Sequence, residues 1–177
     1  MKILAVCVLG CAVVVLVGAA AVEEEKAQND QTERSNLDKR TVVHGWTQIN
    51  GRYFRFFPTP RTWAQAEKYC QSIGANLASV HSAQEHKSLQ KLISQATGYN
   101  KEAWIGGSDA EERGAWFWSD GSSFQYTYWC GGEPNNSQGV QHCLQMNQGA
   151  SNCWGDFECY GYRASICEMK RRPWLRG

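Results

Sequence analysis

"TWAQAEKYCQSIG" (Thr62–Gly74) carries the signals for both ends of a helix. Thr62 can cap the N-terminus, Gln65 completes a capping box three residues on, and Gly74 can close the last turn. Immediately upstream, "YFRFFP" (Tyr53–Pro58) is aromatic and β-rich and predicts a strand. Downstream, "SAQEHKSLQKLISQATG" (Ser82–Gly98) repeats the capping device with Ser82 and Glu85. It places Leu89, Leu92 and Ile93 at helical spacing and ends on Gly98. Beyond Gly98 the helical pattern stops. "AWIGG" (Ala103–Gly107), "AWFWSDG" (Ala115–Gly121), "HCLQMN" (His142–Asn147) and "RASICE" (Arg163–Glu168) are short strand-like pieces between Gly, Ser and Asn turns. Two helices followed by short strands and long loops predict an α+β fold.

The 177 residues suit one folded domain, and a net charge of +1 makes no composition-level case for nucleic acid as a partner. Eight tryptophans bring unusually large apolar area to a core of this size. Of eight cysteines, Cys7 and Cys11 lie in an apolar N-terminal run; Cys70, Cys130, Cys143, Cys153, Cys159 and Cys167 remain. That run, from Ile3 to Val22, is 20 residues, long enough to span a bilayer, but it ends in the small residues "GAAA" (Gly18–Ala21), which favours a cleaved export signal over residues 1–21. Residues 22–40 hold one leucine and no aromatic residue and read as a disordered linker or propeptide. They end in the dibasic pair Lys39-Arg40, which serves equally well as a processing site or as plain linker. The folded domain is expected over 41–169, with a basic tail at 170–177. Export places the six downstream cysteines in an oxidising compartment, where disulfides outrank zinc or redox chemistry, and six cysteines allow fifteen pairings.

From Trp46 to Glu168 the chain resembles the C-type lectin-like domains. The resemblance rests on the joint order and spacing of the helix pair with Cys70, "WIGG" (Trp104–Gly107), "WFWSDG" (Trp116–Gly121), "EPN" (Glu133–Asn135), "CLQM" (Cys143–Met146), "CWGDFEC" (Cys153–Cys159) and "SICE" ending in Cys167. It is nearest to the small secreted lectins of fish and to the type II antifreeze proteins built on the same scaffold. The resemblance implies bridges Cys70–Cys167 and Cys143–Cys159 and, as in the antifreeze-like branch, Cys130–Cys153. Many relatives carry a further N-terminal pair; here Val42 and Tyr53 stand in both places, so no unpaired thiol results, and the N-terminal hairpin is expected to fray more easily.

The loop "WCGGEPNNSQG" (Trp129–Gly139) then acquires a meaning. In sugar-binding members, Glu and Asn of the Glu-Pro-Asn triplet bind calcium and two vicinal sugar hydroxyls, and the proline is usually cis. That polarity implies mannose-like rather than galactose-like sugars. The family completes the cage with a Glu shortly before the cysteine and an Asn-Asp pair after the tryptophan. This chain departs at both places: Gln141 stands where the Glu is expected, and Gly155 replaces the Asn before Asp156. Glu133, Asn135, Gln141 and Asp156, with the Asp156 carbonyl, are the candidate calcium and carbohydrate ligands. The side-chain carboxylates fall from three to two, and because ligand charge tunes affinity the implied calcium site is weaker by roughly ten- to a thousandfold. Substituting Gln141→Glu and Gly155→Asn is expected to rebuild it without touching the core. A competing reading of the loop is its sequon, Asn135-Asn136-Ser137, the only one in the chain. A glycan on Asn135 would block the site, although nearby disulfides and an ordered loop hinder the transferase.

The remaining motifs argue mostly against other chemistry. His44, His81, His86 and His142 lack metal-ligand spacing and are read as surface or capping residues. Asp109, Glu111 and Glu112 form a carboxylate run read as a solvated turn, and Trp116 and Trp118 are read as core. No nucleophile elbow, P-loop or Ser-His-Asp motif is present, so no enzymatic activity is expected. The expectation is therefore an extracellular, glycan-binding protein with weak calcium. Its rivals are an ice-binding protein on the same scaffold and a calcium-independent protein-binding module.

Overall fold

The computed structural model describes residues 45–169; the expected export signal, the expected linker or propeptide, Val42, His44 and the basic tail lie outside them. In chain order the elements are β1 (Thr47–Ile49), β2 (Arg52–Arg61), α1 (Trp63–Ser72), β3 (Asn76–Leu77), α2 (Ala83–Thr97), β4 (Ala103–Ser108), β5 (Phe117–Trp118), β6 (Gln141–Gln148), β7 (Cys153–Glu158) and β8 (Arg163–Met169). The main sheet runs β1-β2-β8-β4-β6-β7, with β3 on β8 and β5 on β4. Every pairing is antiparallel except β4 with β8. The chain is thus α+β, and no helix among the described residues is long and apolar enough to cross a membrane.

Local signals account for both helices. Thr62 Oγ1 accepts from the Gln65 N–H at 3.3 Å while Gln65 Oε1 accepts from the Thr62 N–H at 3.2 Å, closing the capping box of α1. Helix α2 keeps only half of that device. Ser82 Oγ accepts from the Glu85 N–H at 3.2 Å, but the Glu85 carboxylate takes the His81 N–H at 2.8 Å and an ion pair with Arg52 instead. A stronger partner, a guanidinium, outcompetes the neutral N-cap amide. Gly98 ends α2 at φ +82°, where a side chain would be strained.

Two packed clusters fill the interior, and three disulfides staple the fold: Cys70–Cys167 between α1 and β8, Cys143–Cys159, and Cys130–Cys153. Beneath the sheet, Arg52 bridges the buried carboxylates of Glu85 and Glu168. Ser79 joins the same network, its Oγ lying 2.9 Å from Glu168 Oε2 and 3.0 Å from Asp120 Oδ2. Asp120 begins the long segment between β5 and β6, so this network moors one end of that segment to the core. Trp118 is core as the sequence suggests. Trp116 is only partly buried, packing on the core against Trp129 with ring centroids 4.8 Å apart.

Two histidines correct the surface reading. His142 Nδ1 lies 2.9 Å from Asp109 Oδ1, and Asp109, itself buried, also accepts from the Gly114 N–H at 2.7 Å. Asp109 therefore anchors its turn from inside, while Glu111 and Glu112 are exposed. His86 is 1% exposed; its Nδ1 accepts from Trp154 Nε1 at 3.1 Å and its ring packs 4.3 Å from that of Tyr128. His86 stands three and seven residues before Leu89 and Ile93, so helical spacing already places it on the buried stripe; its polar residue type is what suggested a surface position. Burial, with help from Lys87 and against the Asn152 carbonyl, pushes the ring pKa from 6.5 down to about 4. Protonation would turn Nδ1 into a donor facing the Trp154 donor. The folded value is depressed, so the unfolded chain binds the proton first. Stability is full above pH 6.5 and falls as pH drops toward 4, by on the order of 3 kcal/mol. Urea unfolding between pH 4 and 7 should show that slope, and His86→Gln should flatten it.

Candidate functional site

The loop that carries Glu133 hangs on one tryptophan. Trp154, on β7, is fully buried, and the rings of Trp118, Tyr126 and Trp129 meet it nearly edge-on at 5.8, 5.6 and 5.9 Å. Its backbone pairs with the same segment: the Cys130 N–H donates to the Trp154 carbonyl and the Trp154 N–H to the Tyr128 carbonyl, both at 2.8 Å. The Cys130–Cys153 bridge reinforces this isolated strand-like contact. Glycines then lead into Glu133, whose bond to Pro134 is cis.

Beyond that bond, three of the four candidate ligands come together. Asp156, 2% exposed on β7, accepts from the Asn135 N–H through Oδ1 at 3.1 Å and from the Asn136 N–H through Oδ2 at 2.6 Å. Glu133 Oε1 accepts from the Asn135 side-chain amide at 3.0 Å, and Glu133 Oε2 from the Asn135 N–H at 3.1 Å. Gln141 stands one step away: its Oε1 takes the Ser137 N–H and its backbone N–H donates to Asn136 Oδ1, each at 3.0 Å. Asn136 therefore joins Gln141 to the cluster, and Gln141 turns its oxygen toward the single 3₁₀ turn at Ser137–Gly139.

The Glu133 and Asp156 carboxyl groups meet inside this cluster. Burial first, and then the hydrogen-bonding contact with Asp156, push the Glu133 carboxyl above the ordinary carboxylate range; donors from Gln148 and Asn135 pull it partway back. Two carboxylates forced together are relieved by a divalent cation, and side-chain oxygens are the donors calcium takes. The donor chemistry fits calcium. Among the described residues there is no group of three or more acidic, His or Cys side chains that could hold a metal ion, and the remaining side-chain oxygens beside the two carboxylates are those of amides.

One residue of this site escaped the sequence reading. Gln148, at the end of β6, donates from Nε2 to Glu133 Oε1 at 2.7 Å. Its amide lies directly over Gly155: a Cβ on that glycine would come within 1.5 Å of Gln148 Oε1 and 2.2 Å of its Cδ. Gly155 is buried and is not among the residues at positive φ, so the backbone does not resist a side chain there. The obstacle is Gln148. The expectation that Gly155→Asn rebuilds the site without touching the core is therefore corrected: Gly155 is buried, and Gln148 must move aside first. Strict alternation along β6 would send Gln145 and Gln148 to opposite faces. An irregularity in the β6–β7 pairing between them, with Asn147 at φ +64°, turns both to one side, where Gln145 Nε2 donates to Gln148 Oε1 at 3.1 Å. The sequence signal was an Asn-Gln-Gly run opposite a glycine, which is too common to single out.

A separate groove of about 450 Å³, lined by Tyr99, Lys101, Glu102, Tyr162 and Arg163 among others, opens where the end of β6 meets the start of β8. Arg163 Nε is paired with Glu102 at 3.2 Å.

A family model described as the lectin C-type domain matches residues 59–169. Ladderlectin of Oncorhynchus mykiss is 41% identical over 169 residues, spanning 90% of this chain and 89% of its own. The galactose-specific lectin nattectin of Thalassophryne nattereri is 40% identical over 124 residues, 70% of this chain and 77% of its own. Among solved structures, the herring type II antifreeze protein superposes with a TM-score of 0.68 at 38% identity, covering 72% of this chain and 98% of that one.

Proposed function

The chain belongs to the C-type lectin domain family, and we propose that it is a secreted carbohydrate-binding protein whose Glu133, Asn135, Gln141 and Asp156 hold a weakly bound calcium and a mannose-type sugar. One observation carries the reading: Glu133 and Asn135, on either side of a cis proline, converge with the buried carboxylate of Asp156. Bound there, calcium would anchor two neighbouring sugar hydroxyls by accepting their oxygens. The side chains supply the direction. Glu133 accepts from one hydroxyl and the Asn135 amide donates to the other, and the hydrogen bond these two now make with each other is the contact a sugar would replace. Three disulfides in the folded domain agree with export to an oxidising compartment. The export signal over residues 1–21 and the domain bounds of 41–169 belong to the same proposal, as does a sequon at Asn135 left largely unmodified.

Calorimetric titration with calcium chloride, with and without mannose, tests this. Calcium should bind in roughly the millimolar range of extracellular modules, and mannose only in its presence. Glu133→Gln, which removes one of two carboxylates, should weaken calcium about tenfold or more. Galactose binding in preference to mannose would overturn the sugar class, a real contest given what nattectin is named for. Ice binding is the second reading, favoured by the likeness to the herring antifreeze structure. Arrest of ice growth at millimolar protein, without calcium-dependent sugar capture, would replace the lectin reading with it.

A further inference from the structure

Three glutamine, glutamate and arginine contacts line up behind Glu133. Arg163 Nε donates to Gln145 Oε1 at 2.8 Å, Gln145 Nε2 donates to Gln148 Oε1 at 3.1 Å, and Gln148 Nε2 donates to Glu133 Oε1 at 2.7 Å. The polarity of this chain is not free. A guanidinium has donors only, so Gln145 must turn its oxygen to Arg163 and its NH₂ to Gln148. Gln148 must then turn its oxygen to Gln145, which leaves only N–H for Glu133. Arg163 is itself fixed, paired with Glu102 at 3.2 Å and lying 4.0 Å over the Phe157 ring. Gln145 is 3% exposed, so water cannot readily take its place.

We propose that Gln148 controls cation access to this loop: seated over Gly155, it holds the Glu133 carboxylate with an N–H donor whose direction Arg163 imposes through Gln145. The proposal rests on the reading that Glu133 and Asp156 are calcium ligands. An N–H cannot ligate a cation. For calcium to use Glu133 Oε1 it must displace that donor. For Gln148 to offer its oxygen instead, Gln145 must also turn and set its NH₂ against Arg163, donor to donor. The loop is thereby shaped without a cation, by a side chain that fills the place left by the missing residue at Gly155. Gln148 is a positioning residue, acting on the ligand rather than on the sugar.

The test is calcium titration of the natural protein, Gln148→Ala, Arg163→Met and the double variant. Gln148→Ala should tighten calcium about tenfold, the scale of a hydrogen bond to a charged group that the cation no longer displaces. Arg163→Met should tighten it severalfold by freeing the amides to turn, but should add nothing in the Gln148→Ala background. A packing role for Arg163 would move both backgrounds alike. Gln148→Met, which keeps the volume over Gly155 without the donor, should shift affinity in the same direction as alanine and guards against a folding defect. In chelator, amide exchange at Asn135 and Asn136 should quicken in Gln148→Ala. Calcium binding that Gln148→Ala leaves unchanged or weakens, or an equal effect of Arg163→Met in both backgrounds, overturns the proposal alone. No calcium binding by any of the four proteins removes the calcium reading and the proposal together.

Discussion

Trp154→Ala is expected to cost about 4 kcal/mol and to dissolve the Glu133 loop along with it. Truncating a buried tryptophan loses both its transfer energy and the contacts around the cavity left behind, in the range of 3–5 kcal/mol. Here the cavity has no way to collapse. Four aromatic rings, those of Trp118, Phe124, Tyr126 and Trp129, meet Trp154 at 5.6 to 6.4 Å, and His86 loses its only described donor. Three of those rings belong to the segment between β5 and β6 that carries Glu133. Its two backbone contacts to Trp154 survive in principle, but they lose the packing that shields them from water. Urea unfolding should show the loss of stability, and near-ultraviolet circular dichroism should show a disordered aromatic cluster. A cost under about 1.5 kcal/mol would mean that the loop is held by its disulfide rather than by this ring. Calcium binding should disappear in the variant even at temperatures where the helices persist.

Removing the Cys70–Cys167 bridge as Cys70→Ala/Cys167→Ala is the other large effect. The bridge joins residues 97 apart in sequence, and constraining a loop that long in the unfolded chain is worth about 4–5 kcal/mol. Both residues are fully buried, between α1 and β8, so alanine leaves a cavity in addition. The Cys130–Cys153 bridge closes a loop of only 23 residues, and the same removal there should cost about 3 kcal/mol. The two double variants thus separate a fold-wide staple from a local one. Cys70→Ala/Cys167→Ala should lower the unfolding midpoint of the whole domain. Cys130→Ala/Cys153→Ala should chiefly quicken amide exchange in residues 128–136. The reverse order of costs would show that strain or residual unfolded structure outweighs loop entropy.

Much of this was legible in the chain. The capping residues Thr62 and Ser82, the closing glycines Gly74 and Gly98, and the apolar spacing of Leu89 and Ile93 define both helices by interactions within a few residues. Such interactions are local, and a sequence states them directly. The family resemblance implied the three bridges, and Glu133, Asn135, Gln141 and Asp156 were named as one cluster on the strength of it.

What stayed hidden depends on registers and distances that no short window contains. His86 shares the helix stripe of Leu89 and Ile93, which the sequence shows, but the Tyr128 and Trp154 rings that close over it come from 42 and 68 residues away. Gln141 was grouped with the ligands by its place before Cys143, and the contact its oxygen accepts from the Ser137 N–H could not be read from that place. Gln148 and Gly155 are unremarkable separately. Only the irregular pairing of β6 with β7 sets the amide of one on the bare Cα of the other and aims its N–H at Glu133. The sequence by itself determined the helices, because those follow from residue type and near neighbours, whereas the three bridges and the loop's oxygen donors were legible only through the family resemblance. The tertiary structure decided which donors face one another and with which polarity, because a hydrogen-bond chain across three segments takes its direction from the one member that cannot accept, Arg163.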